Sequence, residues 1–285
     1  MFIGAYEAET QFVTTGSGNA RWCVAHKDGK QYFLKQFLAP VQPVQTTDVP
    51  TEQVLLRRER CAAFEQRKLA MYRQLKNVHG DCVVRMTDFF VFDGHYFTAS
   101  EYIDPSHQTF ETIRKTAPRM MPMLVFSLAE CLRMLHSCGI VHADLKPEHI
   151  IVKNEWGRPR VSMIDFDSGF LEASPPDQKS NLEVDPAYLS PEGYLLITGN
   201  DVKLTRKLDT FAFGILLHQA LTGTFPAFDT RKYTYLYACV LDGGKIKLSP
   251  GLDGPQSALI QRMLRKNPAK RPDDPDVCMV LRNYI

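Results

Sequence analysis

The sequence predicts an α+β chain made of two unlike lobes, and three patterns carry that expectation. The front of the chain breaks into short apolar runs separated by turn dipeptides. The back carries long stretches with apolar residues three and four apart. A length of 285 residues at 44% hydrophobic content supplies enough apolar material for either one large domain or two lobes. In order, residues 21–26 and 31–37 read as strands around Lys27-Asp28-Gly29-Lys30, a hairpin signal. Pro40, Pro43 and Pro50 then exclude a regular element from 39–50. Residues 52–76 contain good helix formers and no Gly or Pro, and read as a helix. Residues 83–92 and 96–102 alternate around Asp93-Gly94, a second hairpin. Helical spacing follows at 121–138, 207–222 and 255–265. The lobe boundary falls near 103–106, which divides the chain into 1–103 and 104–285.

Charge and cysteine usage exclude several classes of protein. The 34 basic and 32 acidic residues leave a net charge of +2, so no broad field points to nucleic acid or an anionic membrane. The seven cysteines are scattered and never spaced C-x-x-C, which argues for free thiols, no zinc site and no disulfide-linked partner. No run approaches the roughly 18 apolar residues that span a bilayer. Met1-Phe2-Ile3-Gly4-Ala5 lacks the basic and apolar regions of a signal peptide. The expectation is a cytoplasmic protein.

The most informative string is Ile140-Val141-His142-Ala143-Asp144-Leu145-Lys146-Pro147-Glu148-His149-Ile150, followed downstream by Met163-Ile164-Asp165-Phe166-Asp167. Together they resemble the catalytic loop H-R-D-L-K-x-x-N and the D-F-G metal turn of protein kinases. Ser190-Pro191-Glu192 stands where that family has A-P-E. The string 208–214, Leu-Asp-Thr-Phe-Ala-Phe-Gly, is similar to its D-x-W-S-x-G helix, and 267–272, Asn-Pro-Ala-Lys-Arg-Pro, to its closing arginine motif. These motifs occur in the family's order, which makes the resemblance far stronger than any one of them.

The resemblance implies a two-lobed kinase fold, with a small antiparallel-sheet N-lobe bearing one main helix and a larger helical C-lobe. It implies ATP and Mg²⁺, with Mn²⁺ as an alternative ion, and a protein substrate. Asp144 is then the base that orients the acceptor hydroxyl, and Lys146 reaches the transferring phosphate, as in the serine/threonine branch. Asp165 is the metal carboxylate. Gly16, Ser17 and Gly18 resemble the phosphate loop, where glycine lets backbone N–H groups approach phosphate oxygens. Lys35 stands at the strand lysine of the phosphates, and its partner glutamate is Glu65 or Glu59. Glu101 and Ile103 flank Tyr102 in the adenine hinge, behind Ser100 as gatekeeper. Asp209 is expected to tie down the catalytic loop, and Glu192 to pair with Arg271.

Six departures from the family bear on activity. Arg21 stands at the third glycine, Phe33 at a small residue of the adenine pocket, and Ala143 at the arginine that pairs with a phosphorylated segment. His149 replaces the second metal-binding asparagine, and Asp167 the glycine of the metal turn; both are candidate ligands beside Asp165. Asp185 stands at a threonine before the A-P-E region. Retention of Lys35, Asp144, Lys146 and Asp165 favours an active kinase, with Ser168, Ser174 and Ser180 as possible self-acceptors. The alternatives are a pseudokinase acting as a binding module and a small-molecule kinase. A regulatory partner is expected to be a separate protein.

Overall fold

The computed structural model describes residues 1–15, 18–44, 51–103, 109–155, 158–176 and 184–285. The chain divides into two compact units, one of Met1–Lys76 with Val84–Pro105, the other of Asn77–Val83 with Ser106–Ile285.

The first unit is an antiparallel sheet with one long helix. Its strands are β1 (Phe2–Ile3), β2 (Tyr6–Ala8), β3 (Val13–Thr14), β4 (Ala20–Lys27) and β5 (Lys30–Phe37), then, after helix α1 (Glu52–Leu75), β6 (Met86–Phe92) and β7 (His95–Glu101). The sheet runs β1-β2-β4-β5-β7-β6, with β3 added on β4. Both hairpins turn on Asp-Gly with left-handed backbone, φ 52° and 72° at Asp28 and Gly29, 48° and 73° at Asp93 and Gly94. That pair of positive φ values matches the strand twist and sets the register. Alternation along the strands splits the sheet into two faces. One buries Cys23, Ala25, Leu34, Phe97 and Ala99 under Ile3 and Tyr6 of the first two strands. The other packs Phe37 and Tyr96 on Cys61 and Phe64 of α1. Thr51 caps α1 by accepting from the Val54 N–H.

The second unit contains α2 (Phe110–Thr116), α3 (Met121–Ser137), strands β8 (Ile140–Val141), β9 (Ile150–Glu155), β10 (Arg158–Met163) and β11 (Phe170–Leu171), then α4 (Pro191–Ile197), α5 (Lys207–Thr222), α6 (Leu236–Leu241), α7 (Gly254–Met263) and α8 (Asp274–Arg282). Helix α5 is apolar almost all round and buried from Leu208 to His218, as a core helix must be. It stops at Gly223, whose φ of 79° provides the left-handed cap. Two short antiparallel pairs, β8 with β11 and β9 with β10, frame the loop between them. Segment Asn77–Val83 joins this unit because the Met163 N–H donates to the Cys82 carbonyl at 2.8 Å and Val83 bridges Met163. All seven cysteines are free thiols. Among the described residues, no helix is long and apolar enough to cross a membrane.

Candidate active site

In the second unit, β8 delivers the chain into a loop held from below by Asp209 of α5. This carboxylate is fully buried and accepts from the backbone N–H of His142 at 2.7 Å and of Ala143 at 2.8 Å. Ala143 adopts φ 69° there, a left-handed conformation that side chains disfavour. His142 places Nε2 3.0 Å from the Ile164 carbonyl, so Nε2 carries the proton, and its ring packs on Phe166 at 4.8 Å. Burial is the main cause of its pKa falling below the ordinary value, so this imidazole is neutral. The second support is the ion pair of Arg271 with Glu192, bidentate at 2.6 and 2.8 Å. Both scaffold pairings implied by the sequence are therefore present.

Asp144 is held on both oxygens. Its Oδ1 accepts the Asp185 N–H at 2.9 Å, while Oδ2 lies 3.1 Å from Lys146 Nζ. Lys146 also approaches Asp185 at 3.9 Å, so the aspartate at the threonine position shares the lysine with Asp144. His149 stands between two carboxylates. Its Nδ1 is 2.8 Å from the Asp144 carbonyl and 3.4 Å from Asp144 Oδ2, and its Nε2 is 3.6 Å from Asp165 Oδ2. A carbonyl only accepts, so Nδ1 donates and, in the neutral ring, Nε2 keeps its lone pair facing Asp165. Asp165 takes φ 60°, a region aspartate tolerates better than most residues. The Asp167 N–H donates to Asp165 Oδ1 at 3.4 Å.

The donor chemistry of this pair fits a divalent ion only in part. Carboxylate and imidazole together suit a borderline ion such as Mn²⁺ better than Mg²⁺, which prefers oxygen. Among the described residues no group of three His, Cys, Asp or Glu side chains could hold a metal. Asp165 and His149 are brought together, and Asp167 does not complete a third position with them. An ion held here would draw its remaining ligands from phosphate and water.

In the first unit, Lys35 lies on β5 opposite Trp22 and Thr98, only 9% exposed. Of the two candidate glutamates, Glu59 points to solvent, while Glu65 is half-buried on the side of α1 turned to the sheet. Burial pushes the Tyr96 phenol up to about 12, and the Glu65 charge adds to that rise. Glu101 ends β7 and Ile103 is half-buried just beyond it. Gly16 and Ser17 lie outside the described residues. Gly18 turns at φ 76° and donates its N–H to the Thr15 carbonyl at 2.9 Å. Arg21 lies in β4, within the strand expected over 21–26, where its guanidinium donates to the Gln36 side chain and lies over Phe12 at 4.8 Å.

Sequence reasoning passed over Trp22, although counting back from the Asp28-Gly29 turn places it opposite Lys35. It also passed over His136 of α3, which links Asp209 at 3.0 Å to Asp274 at 3.0 Å. No local pattern announces that link, because Asp274 lies 138 residues from its partner.

A loop strapped to a buried aspartate, an aspartate–lysine pair within it, and a left-handed aspartate on the later turn are the arrangement that a kinase-type fold would show. The chain matches the protein kinase domain over residues 16–281, and it belongs to that family, with the two-lobed α+β fold the family implies. Curated relatives agree. The chain is similar to the serine/threonine-protein kinase ULK3 of Xenopus laevis, 29% identical over 202 residues, covering 69% of this chain and 41% of the relative. It is also similar to the serine/threonine-protein kinase pkn2 of Myxococcus xanthus, 28% identical over 215 residues, covering 70% of this chain and 25% of the relative. A third is the serine/threonine/tyrosine-protein kinase HT1 of Arabidopsis thaliana, 27% identical over 161 residues, 56% of this chain and 39% of the relative. The chain thus spans less than half the length of these relatives.

Proposed function

We propose that this chain is an active protein kinase that transfers the γ-phosphate of ATP to serine or threonine hydroxyls of protein substrates. The observation that carries the reading is the setting of Asp144, fixed by the Asp185 N–H and Lys146 on one side and bordered by His149 and Asp165 on the other. In this reading residues 1–103 bind the nucleotide and 104–285 carry the catalytic loop, metal turn and substrate-binding helices. Lys35 pairs with the phosphates, Glu65 with Lys35, Gly16, Ser17 and Gly18 enclose the phosphates, and Glu101 and Ile103 hold the adenine.

Asp144 accepts the proton of the acceptor hydroxyl as the oxygen attacks, a task that typically contributes about 10²–10⁴-fold. Lys146, held beside it, balances negative charge on the transferring phosphoryl oxygens. Asp165 and His149 Nε2 would hold a divalent ion, which when bound would neutralise phosphate charge. Ala143 replaces the loop arginine, so no charge pairing from this position switches the enzyme on. Regulation is assigned to a separate protein and the site of action to the cytoplasm. Ser174 is exposed and is the favoured self-acceptor of the described residues, while Ser180 lies outside them.

The test uses the purified full chain with ATP and either Mg²⁺ or Mn²⁺, alone and with a generic protein substrate. Phosphoserine or phosphothreonine located by mass spectrometry, and lost in Asp144→Asn, is the expected result. Absence of phosphate with either ion contradicts the reading. Thermal stabilisation by ATP without transfer makes the chain a nucleotide-gated binding module instead.

A further inference from the structure

Helix α4 of the second unit lacks a polar face. Its sequence, Pro191-Glu192-Gly193-Tyr194-Leu195-Leu196-Ile197, carries a single charge, and Arg271 already engages it through two N–H groups at 2.6 and 2.8 Å. Gly193 and Leu196 turn inward and are buried. The outward positions, where a surface helix ordinarily carries polar groups, hold Tyr194 and Leu195, both half-buried, and Ile197, 49% exposed.

Beside this helix lies a cavity of about 500 Å³, within the size range of ligand sites. Its apolar wall is made by Pro191 and Leu195 of α4, Val202, Leu241 of α6 and Pro268. Two exposed lysines, Lys203 and Lys266, complete the lining. Lys266 Nζ donates to the Leu241 carbonyl at 2.7 Å, which fixes the ammonium at the cavity and leaves it two further N–H donors. Neighbouring carboxylates do not cancel this charge. Glu192 belongs to Arg271, and Asp242, next to Leu241, pairs with Lys232 at 2.6 Å. Asp201, before Val202 in the chain, is exposed and outside the lining. A column of tyrosines continues the apolar surface. Tyr194 stacks on Tyr237 of α6 with centroids 4.6 Å apart, and Tyr237 on Tyr235 at 5.6 Å. Tyr237 and Leu241 are one turn apart on α6, so the stack and the cavity share a face of that helix.

We propose that this cavity docks a segment of a partner protein in which large apolar side chains are flanked by carboxylates. The apolar side chains fill the space between α4 and α6, and the carboxylates meet Lys203 and Lys266. Tyrosine is among the residues enriched where proteins meet, and the stacked column extends the contact beyond the cavity. Asp144, Lys146, His149 and Asp165 are absent from the lining, so the site stands independently of the kinase reading.

Fluorescence anisotropy of labelled peptides on the full chain tests the site. The probes are a short peptide alternating leucine with glutamate, a second alternating leucine with lysine, and a third alternating serine with glutamate. Only the first is expected to bind, with an affinity that falls as salt rises. Lys203→Glu combined with Lys266→Glu is expected to raise its Kd about 10-fold, because each exposed charge pair contributes modestly. Leu195→Asp is expected to raise it about 30-fold or more, the loss of a central apolar contact. Urea midpoints matching the wild type report that the variants are folded. If Leu195→Asp does not fold, the double lysine variant, altered only at exposed positions, decides alone. Equal binding of the leucine–lysine peptide overturns the proposal, as does leucine–glutamate binding that the double lysine variant leaves unchanged. A wild-type chain that binds none of the peptides overturns it too. A wild-type dimer in sedimentation that Leu195→Asp dissolves gives the cavity to a second copy of the chain and overturns the proposed occupant.

Discussion

His136 and His149 belong to the same unit, and each stands between two aspartates. His136 is enclosed, its side chain 1% exposed, with Nε2 on Asp209 and Nδ1 on Asp274. Each ring nitrogen faces a carboxylate, so the ring is an imidazolium. Burial alone would lower its pKa, but the two carboxylates outweigh burial and hold it up at about 9. His149 is open by comparison. Its Nδ1 is tied to the Asp144 carbonyl, and its Nε2 faces a partly exposed Asp165 at 3.6 Å. The same residue types therefore serve two purposes. Where both nitrogens are satisfied inside the protein, the array fastens the loop after β8 to α5 and α8. Where one nitrogen faces a partly exposed carboxylate, the proposed reading puts an incoming cation.

Breaking the open array should cost chemistry and breaking the closed one should cost folding. The largest effect is expected from Asp144→Asn, which should lower phosphoryl transfer by about 10²–10⁴-fold. Its urea midpoint should stay close to that of the wild type, because Asp144 lies at the edge of the scaffold. Next is Asp209→Ala, which leaves the His136 Nε2–H and two loop N–H groups without their acceptor. A loss of about 3–5 kcal/mol in unfolding free energy is expected. Glu192→Ala, which strands buried Arg271, should fall in the same range, about 3–5 kcal/mol, by the same measurement.

A smaller effect sharpens the comparison through pH. His136 has a folded pKa of about 9 against an ordinary 6.5, so its contribution is complete below 6.5 and is lost as pH rises through 9. The loss is on the order of 3 kcal/mol. On the acid side burial opposes ionisation of Asp274, but His136, Arg206 and Lys207 hold its pKa below the ordinary 3.8. Its contribution is present above 3.8 and declines as pH falls through the lower folded value. Stability measured by urea titration at stepped pH should therefore fall above 6.5, and His136→Gln should flatten that limb. The smallest effect is expected at Ala143. Ala143→Gly relieves left-handed strain but frees the unfolded chain by a similar amount, so the change should stay within about 1 kcal/mol.

Much of this was legible in the sequence, for reasons that differ by region. The Asp-Gly dipeptides at 28–29 and 93–94 dictate two-residue turns, and α1 lacks any breaker over its 24 residues. The loop at 140–150 and the turn at 163–167 stood out in the sequence because their residues lie close together in the chain. The two- and three-residue strands β1 to β3 left no periodic signal, since alternation needs greater length. Helices α2, α4, α6 and α8, of 6 to 9 residues, were missed for the same reason. The pairing of His136 with Asp274 depends on how α3 and α8 pack, which no local pattern encodes.

The central claim is that the open histidine ligates the divalent ion together with Asp165. Pulsed electron paramagnetic resonance of the full chain with Mn²⁺ and ATP, carrying ¹⁵N-labelled histidine, tests it most directly. Labelling only the histidines separates their nitrogens from those of adenine. The account predicts a ¹⁵N coupling to the bound Mn²⁺ that disappears in His149→Ala and persists in His136→Gln. Bound Mn²⁺ with no ¹⁵N coupling in the wild-type protein would contradict it.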